Sequence, residues 1–97
     1  METYIILGKY TQQGIAKIKD GPNRIEAARK AMEAAGGKMV AWYLTMGRYD
    51  FVVIAESPNV KAAVSVLLAT GSQGSVSTET LHALTEAEFK SVVSSLP

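Results

Sequence analysis

The chain has no cysteine among its 97 residues. That absence removes disulfides, thiolate nucleophiles, iron–sulfur clusters and cysteine-held zinc together. An excess of one charge is also lacking. Ten Lys and Arg stand against nine Asp and Glu, for a net charge of +1, and the basic residues gather in no dense patch. Neither nucleic acid nor an anionic membrane surface is therefore expected as a partner. No apolar run approaches the roughly 20 residues of a membrane span. Met1 leads straight into Glu2 and a strand-like segment, with no basic stretch before a signal-peptide core. A soluble, cytoplasmic protein is expected, with room for a single domain over residues 1–97.

What the chain does have is apolar patterning, at 47% hydrophobic residues. Thr3–Tyr10 is rich in β-branched and aromatic residues and reads as a strand. A short helical turn carrying Ile15 and Ile18 follows, interrupted at Asp20-Gly21-Pro22 because proline lacks the amide hydrogen of a helix interior. After Pro22, Ile25, Ala28, Met32 and Ala35 form one stripe, which ends at Gly36-Gly37 in the manner of a left-handed cap. Arg24, Arg29, Lys30 and Glu33 fall mostly off that stripe, toward water. Lys38–Met46 and Tyr49–Glu56 read as antiparallel strands joined by a tight Gly47-Arg48 turn. Ser57 and Pro58 are expected to open a second helix with the stripe Val60, Ala63, Val64, Leu67 and Leu68, closed by Gly71. A fourth strand spans about Ser75 to Leu84. Thr85 and Glu88 then make a capping box before a short helix bearing Phe89, Val92, Val93 and Leu96. The order βαββαβ plus a terminal helix is that of an α+β, ferredoxin-like antiparallel sheet with two helices on one face.

Strand alternation places apolar groups on both faces of that sheet. Ile5 and Leu7 oppose Tyr4, Ile6 and Tyr10, while Val52 and Ile54 oppose Phe51, Val53 and Ala55. In Lys38–Met46, simple alternation sets Val40, Trp42 and Leu44 against Met39, Ala41 and Tyr43. Two helices cover one face only, and a bare second face would exceed the apolar patch usual for a monomer. The terminal helix could cover part of it. A second copy could cover all of it, giving a homodimer, or a higher homo-oligomer, whose two sheets face each other as a barrel. Thr78, Thr80 and His82 share a face and are polar enough to line a cavity between such sheets.

The run Met46-Gly47-Arg48-Tyr49-Asp50-Phe51-Val52, with Tyr4-Ile5-Ile6-Leu7 and the Thr11, Gly14-Ile15 and Lys19-Asp20 segment, resembles the GYD-domain family. Gly47, Tyr49 and Asp50 match the signature that names it. The likeness continues through Leu44-Thr45-Met46, Gly71 to Gly74, and Thr80-Leu81 to Ser95-Leu96-Pro97. It implies a ferredoxin-like domain of the dimeric α+β barrel type and implies no particular reaction.

Each chemically interesting residue carries two readings. Asp50 could be a general base with the Tyr49 hydroxyl orienting a ligand, or it could accept backbone amides at a turn where Gly47 supplies positive φ. Lys19 could hold an anion, or be a solvated charge beside Asp20, itself a helix cap. Tyr10, Trp42 and Tyr43 could stack on a ligand, or fill the core or an interface. His82 is the only histidine, which makes it a proton shuttle or a satisfied structural side chain and speaks against zinc. Nothing in the sequence supports haem independently, so no metal and no cofactor are expected. Gly71–Ser75 follows a helix instead of opening one, so the dipole points the wrong way for a phosphate loop. A Ser/His/Asp order with a nucleophile elbow is also missing.

Two functions stay open. One is an oligomeric small-molecule-binding or regulatory protein. The other is a small dimeric-barrel enzyme, a cofactor-independent monooxygenase or an isomerase, with Asp50 or His82 moving protons. The scarcity of convergent polar groups favours the first.

Overall fold

The computed structural model describes residues 1–97. Its elements run β1 (Glu2–Tyr10), α1 (Gln12–Ala16), a 3₁₀ turn (Ile18–Asp20), α2 (Gly21–Ala34), β2 (Lys38–Leu44), β3 (Phe51–Ser57), α3 (Val60–Ser72), β4 (Val76–Ala83) and α4 (Glu86–Ser94). The strands form one antiparallel sheet in the order β2-β3-β1-β4, as the element order requires. Ile6, Met39, Phe51, Val53 and Ala55 from the sheet bury against Met32 of α2 and Val66 of α3. Each of these side chains larger than alanine contributes roughly 1.5–3 kcal/mol relative to exposure. The Phe51 ring lies so close against Gly8 that a Cβ there would overlap it.

Several local features depart from simple periodicity. A β-bulge at Val40 shifts the register between Met39 and Ala41, so Met39 pairs with Ala55 while Trp42 pairs with Val53. Met39 and Trp42 therefore share the helix-covered face, contrary to strict alternation. The link from β2 to β3 is a loop over residues 45–50, not a two-residue turn. The Thr45 amide donates to the Asp50 carbonyl at 2.8 Å, and the Thr45 hydroxyl to the Tyr49 carbonyl at 2.7 Å, which closes the loop around Gly47 at φ +101°. Ser57 is the last residue of β3, paired with Glu2, so Asn59 caps α3 instead and accepts the Ala62 amide at 2.9 Å. The buried line of α3 runs through Val66 and Leu67, leaving Val60, Val64 and Leu68 exposed. Apolar residues fall on both the inner and the outer side of this helix, so the apolar period alone does not choose its inner face.

α2 begins at Gly21 with Asp20 at the cap position, although no Asp20 side-chain bond is made there. It ends in a Schellman pair, Gly37 N–H to the Met32 carbonyl at 2.8 Å and Gly36 N–H to the Glu33 carbonyl at 3.0 Å. The Thr85–Glu88 capping box forms as expected. Yet α4 makes no extended contact with any strand, and Phe89, Val92, Val93 and Leu96 stay exposed. The second face of the sheet, carrying Ile5, Leu7, Val52, Ile54 and Leu81, lies under no helix. A thickness of 18 Å corresponds to one sheet and one helical layer.

Candidate functional site

α2 packs Ala28 and Ala31 against the core, and the more exposed Ala27 of α2 and Ala69 of α3 stand at the border of the same space. Side chains this short cannot fill the gap between helices and strands, and a partly open cavity of about 130 Å³ remains. Its wall is mostly apolar. An aromatic side is built by Phe51, with Trp42 stacked on it at 5.7 Å between centroids and Tyr10 tilted against it at 5.3 Å. Polar groups enter from Arg24, Thr70, Gln73, Ser75 and Thr78, and no carboxylate side chain lines the space. Arg24, half-buried, donates to the Lys17 carbonyl at 2.9 Å and reaches the Gly14 carbonyl at 3.5 Å. Burial first, and then the nearby Asp50 charge, push the Tyr10 phenol above its ordinary pKa, while Arg24 pulls it back.

Tyr10, Trp42 and Thr78 thus meet in one cavity, and the remaining sequence candidates lie elsewhere. Thr78, Thr80 and His82 do share a face, but it is the helix-covered one, because they pair with Gly8, Ile6 and Tyr4. They cannot line a space between two opposed sheets. Thr80 borders a smaller hollow of about 30 Å³ with Tyr4, Met32 and Val66. His82 stacks on the Tyr4 ring at 4.8 Å and sits 3.6 Å from a Glu2 carboxylate oxygen. Asp50 accepts the Tyr10 backbone amide at 2.8 Å, and its own amide donates to the Gly8 carbonyl at 2.8 Å. Tyr49 points away toward β4, where its hydroxyl donates to Glu79 at 2.5 Å and Lys9 lies 5.5 Å above its ring. The Glu79 bond is the main reason the Tyr49 phenol is raised in pKa. Lys19 is exposed in the 3₁₀ turn, and Tyr43 is 61% exposed at the edge of the sheet.

Sequence reasoning misses Arg24, Phe51 and Gln73 as cavity residues. It places Arg24 toward water because that residue falls beside the apolar stripe of α2. The available signal is the alanine content of that helix, which leaves space where larger residues would close it.

A curated relative from Thermus thermophilus, described as a glutamine synthetase and cystathionine beta-lyase binding protein, is 34% identical over 90 residues, 92% of this chain and 95% of the relative. Among solved structures, a feast or famine regulatory protein of M. tuberculosis complexed with L-methionine superposes with a TM-score of 0.66 at 14% identity. The match covers 88% of this chain and 51% of that regulator, so the chain spans about half its length. A Thermus thermophilus protein of matching size superposes with a TM-score of 0.56 at 24% identity, covering 88% of this chain and 95% of that one. At these identities the structural likeness is one of fold. The GYD domain profile matches residues 4–93, and the chain belongs to that family.

Proposed function

We propose that the chain is an oligomeric, cytoplasmic binding protein of regulatory type, which pairs with a second copy and holds a small molecule between its sheet and helices without transforming it. One observation carries the reading. The roomy cavity is apolar with a few polar groups at its wall, and neither Asp50 nor His82 lines either cavity. An oxygenase or isomerase would need a proton carrier facing its substrate. Asp50 is engaged with Tyr10, and His82 with Tyr4 and Glu2, at separate places. Tyr10, Trp42 and Thr78 would contact the ligand. Pairing through the uncovered face of the sheet would remove Ile5, Leu7, Val52, Ile54 and Leu81 from water.

The name of the Thermus relative makes glutamine synthetase and cystathionine beta-lyase the first macromolecular partners to test. Surface plasmon resonance with both purified enzymes over the immobilised chain is expected to give saturable binding to at least one. Absence of binding to both, together with turnover of a small organic compound that Asp50→Asn or His82→Gln abolishes, would overturn the reading in favour of an enzyme.

A further inference from the structure

Arg24 is the one charged side chain that lines the cavity. Its partners are backbone carbonyls, and like most of the basic residues, Arg29 with Glu26 and Lys90 with Glu86 excepted, it has no carboxylate partner. A guanidinium carries five N–H donors, and hydrogen bonds to backbone carbonyls engage two of its nitrogens here. It borders a cavity whose opposite wall is the Phe51 ring with Trp42 and Tyr10 against it. A half-buried guanidinium without a counter-ion gains strongly from a planar anion that it can grip with two parallel bonds.

The size of the cavity narrows the choice further. An apolar cavity of roughly 150 Å³ accepts a benzene ring, and this one offers about 130 Å³ with an open side. One ring fits and two fused rings with substituents do not. Offset or edge-to-face contacts with Phe51 and Trp42 reward an aromatic body over an aliphatic one. Ala28 and Ala31 leave the opposite side flat enough for a ring face.

We infer that this cavity is a site for a small monocyclic aryl carboxylate, of the phenylacetate or phenylpropanoate class, with the ring against Phe51 and Trp42 and the carboxylate on Arg24. The inference rests on the proposed binding role and gives that role a ligand chemistry. A nucleotide or a long acyl chain would have to extend beyond the cavity through its open side.

Trp42 is the only tryptophan, so its emission reports on the site in the unmodified protein. The test titrates the full chain with phenylacetate, phenylacetamide as the uncharged isostere, and cyclohexylacetate as the non-aromatic acid. Phenylacetate is expected to shift Trp42 emission saturably with a dissociation constant below about a millimolar. Each of the other two is expected to bind about tenfold or more weakly. Arg24→Gln should abolish the preference for acid over amide while Arg24→Lys keeps part of it, with melting temperatures recorded for both. Equal binding of acid and amide overturns the carboxylate assignment yet leaves a small-molecule binding protein standing. Equal binding of the aromatic and non-aromatic acids overturns the aryl assignment in the same way. An unmoved Trp42 signal with all three overturns the site itself, whereas the enzyme-partner and solution-mass measurements judge the broader role separately.

Discussion

The backbone amide of Tyr10 donates to the side-chain carboxylate of Asp50 at 2.8 Å, across forty residues of sequence. The bond fixes the end of β1 to the loop before β3, and it also positions the Tyr10 ring against Phe51 in the cavity wall. Asp50→Ala leaves that amide without its acceptor and is expected to lower stability by about 1–3 kcal/mol. Asp50→Asn keeps an acceptor oxygen and should lose much less. Urea unfolding midpoints compare the two, and an unchanged midpoint in Asp50→Ala would show that the bond contributes nothing.

A second expectation concerns Gly8. An alanine there would drive its Cβ into the Phe51 ring, and the ring would have to move in a packed core. We expect Gly8→Ala to cost about 1–3 kcal/mol, with a change in Trp42 emission because Trp42 stacks on the displaced ring. In Gly8→Ala/Phe51→Ala the Gly8 penalty should largely vanish, as coupled neighbours require. Thermal melts of the four proteins in that cycle provide the check, and simple additivity would contradict the contact.

Much of this arrangement is readable from the sequence, and the exceptions have physical causes. The strands, the α2 cap at Gly36-Gly37 and the Thr85–Glu88 box follow from side-chain types at fixed spacing. The bulge at Val40 does not, because one extra residue in a strand leaves no mark in composition and reverses every face after it. The inner face of α3 is hidden by Val60, Val64 and Leu68, as apolar as the buried Val66. The cavity is half legible. Tyr10, Trp42 and Thr78 stand out as ligand contacts, but Thr78 for a space between sheets, since nothing local says on which side Thr78 and Thr80 lie. The partnership of Tyr10 with Asp50 is a tertiary fact that neither residue announces alone.

The α4 capping box gives a pH-dependent expectation. Glu88 accepts the Thr85 amide at 3.0 Å and donates its own amide to the Thr85 hydroxyl at 3.1 Å, which holds its carboxyl below the ordinary pKa. A lowered native pKa stabilises the helix above the ordinary carboxylate value of about 4.3, and that stabilisation disappears as pH falls through the native value. Because α4 makes no extended contact with a strand, it should fray alone. Amide exchange in residues 86–94 is expected to quicken on acidification, and already at neutral pH in Thr85→Ala, while the sheet stays protected. Simultaneous loss of protection in both would contradict an independent α4.

Alkaline titration probes the other side of the molecule. Tyr49 is raised chiefly by its bond to Glu79, so the protonated phenol is favoured in the folded chain. That contribution is present below the ordinary phenol value of about 10 and is lost as pH climbs through the higher native value. Glu79→Gln is expected to bring Tyr49 back toward the ordinary range, as read from tyrosinate absorbance against a Tyr49→Phe control. An identical titration in Glu79→Gln would deny the bond.

The uncovered face of the sheet, with Ile5 opposite Ile54 at its centre, is proposed to belong against its counterpart in a second copy. Sedimentation equilibrium of the wild-type chain beside Ile54→Lys is the decisive measurement. The wild type is expected at twice the 10.4 kDa of one chain or a higher even multiple, and Ile54→Lys as a single chain with an unchanged circular dichroism spectrum. A wild-type mass of one chain at micromolar concentration, or an Ile54→Lys protein that stays paired, would contradict the assembly.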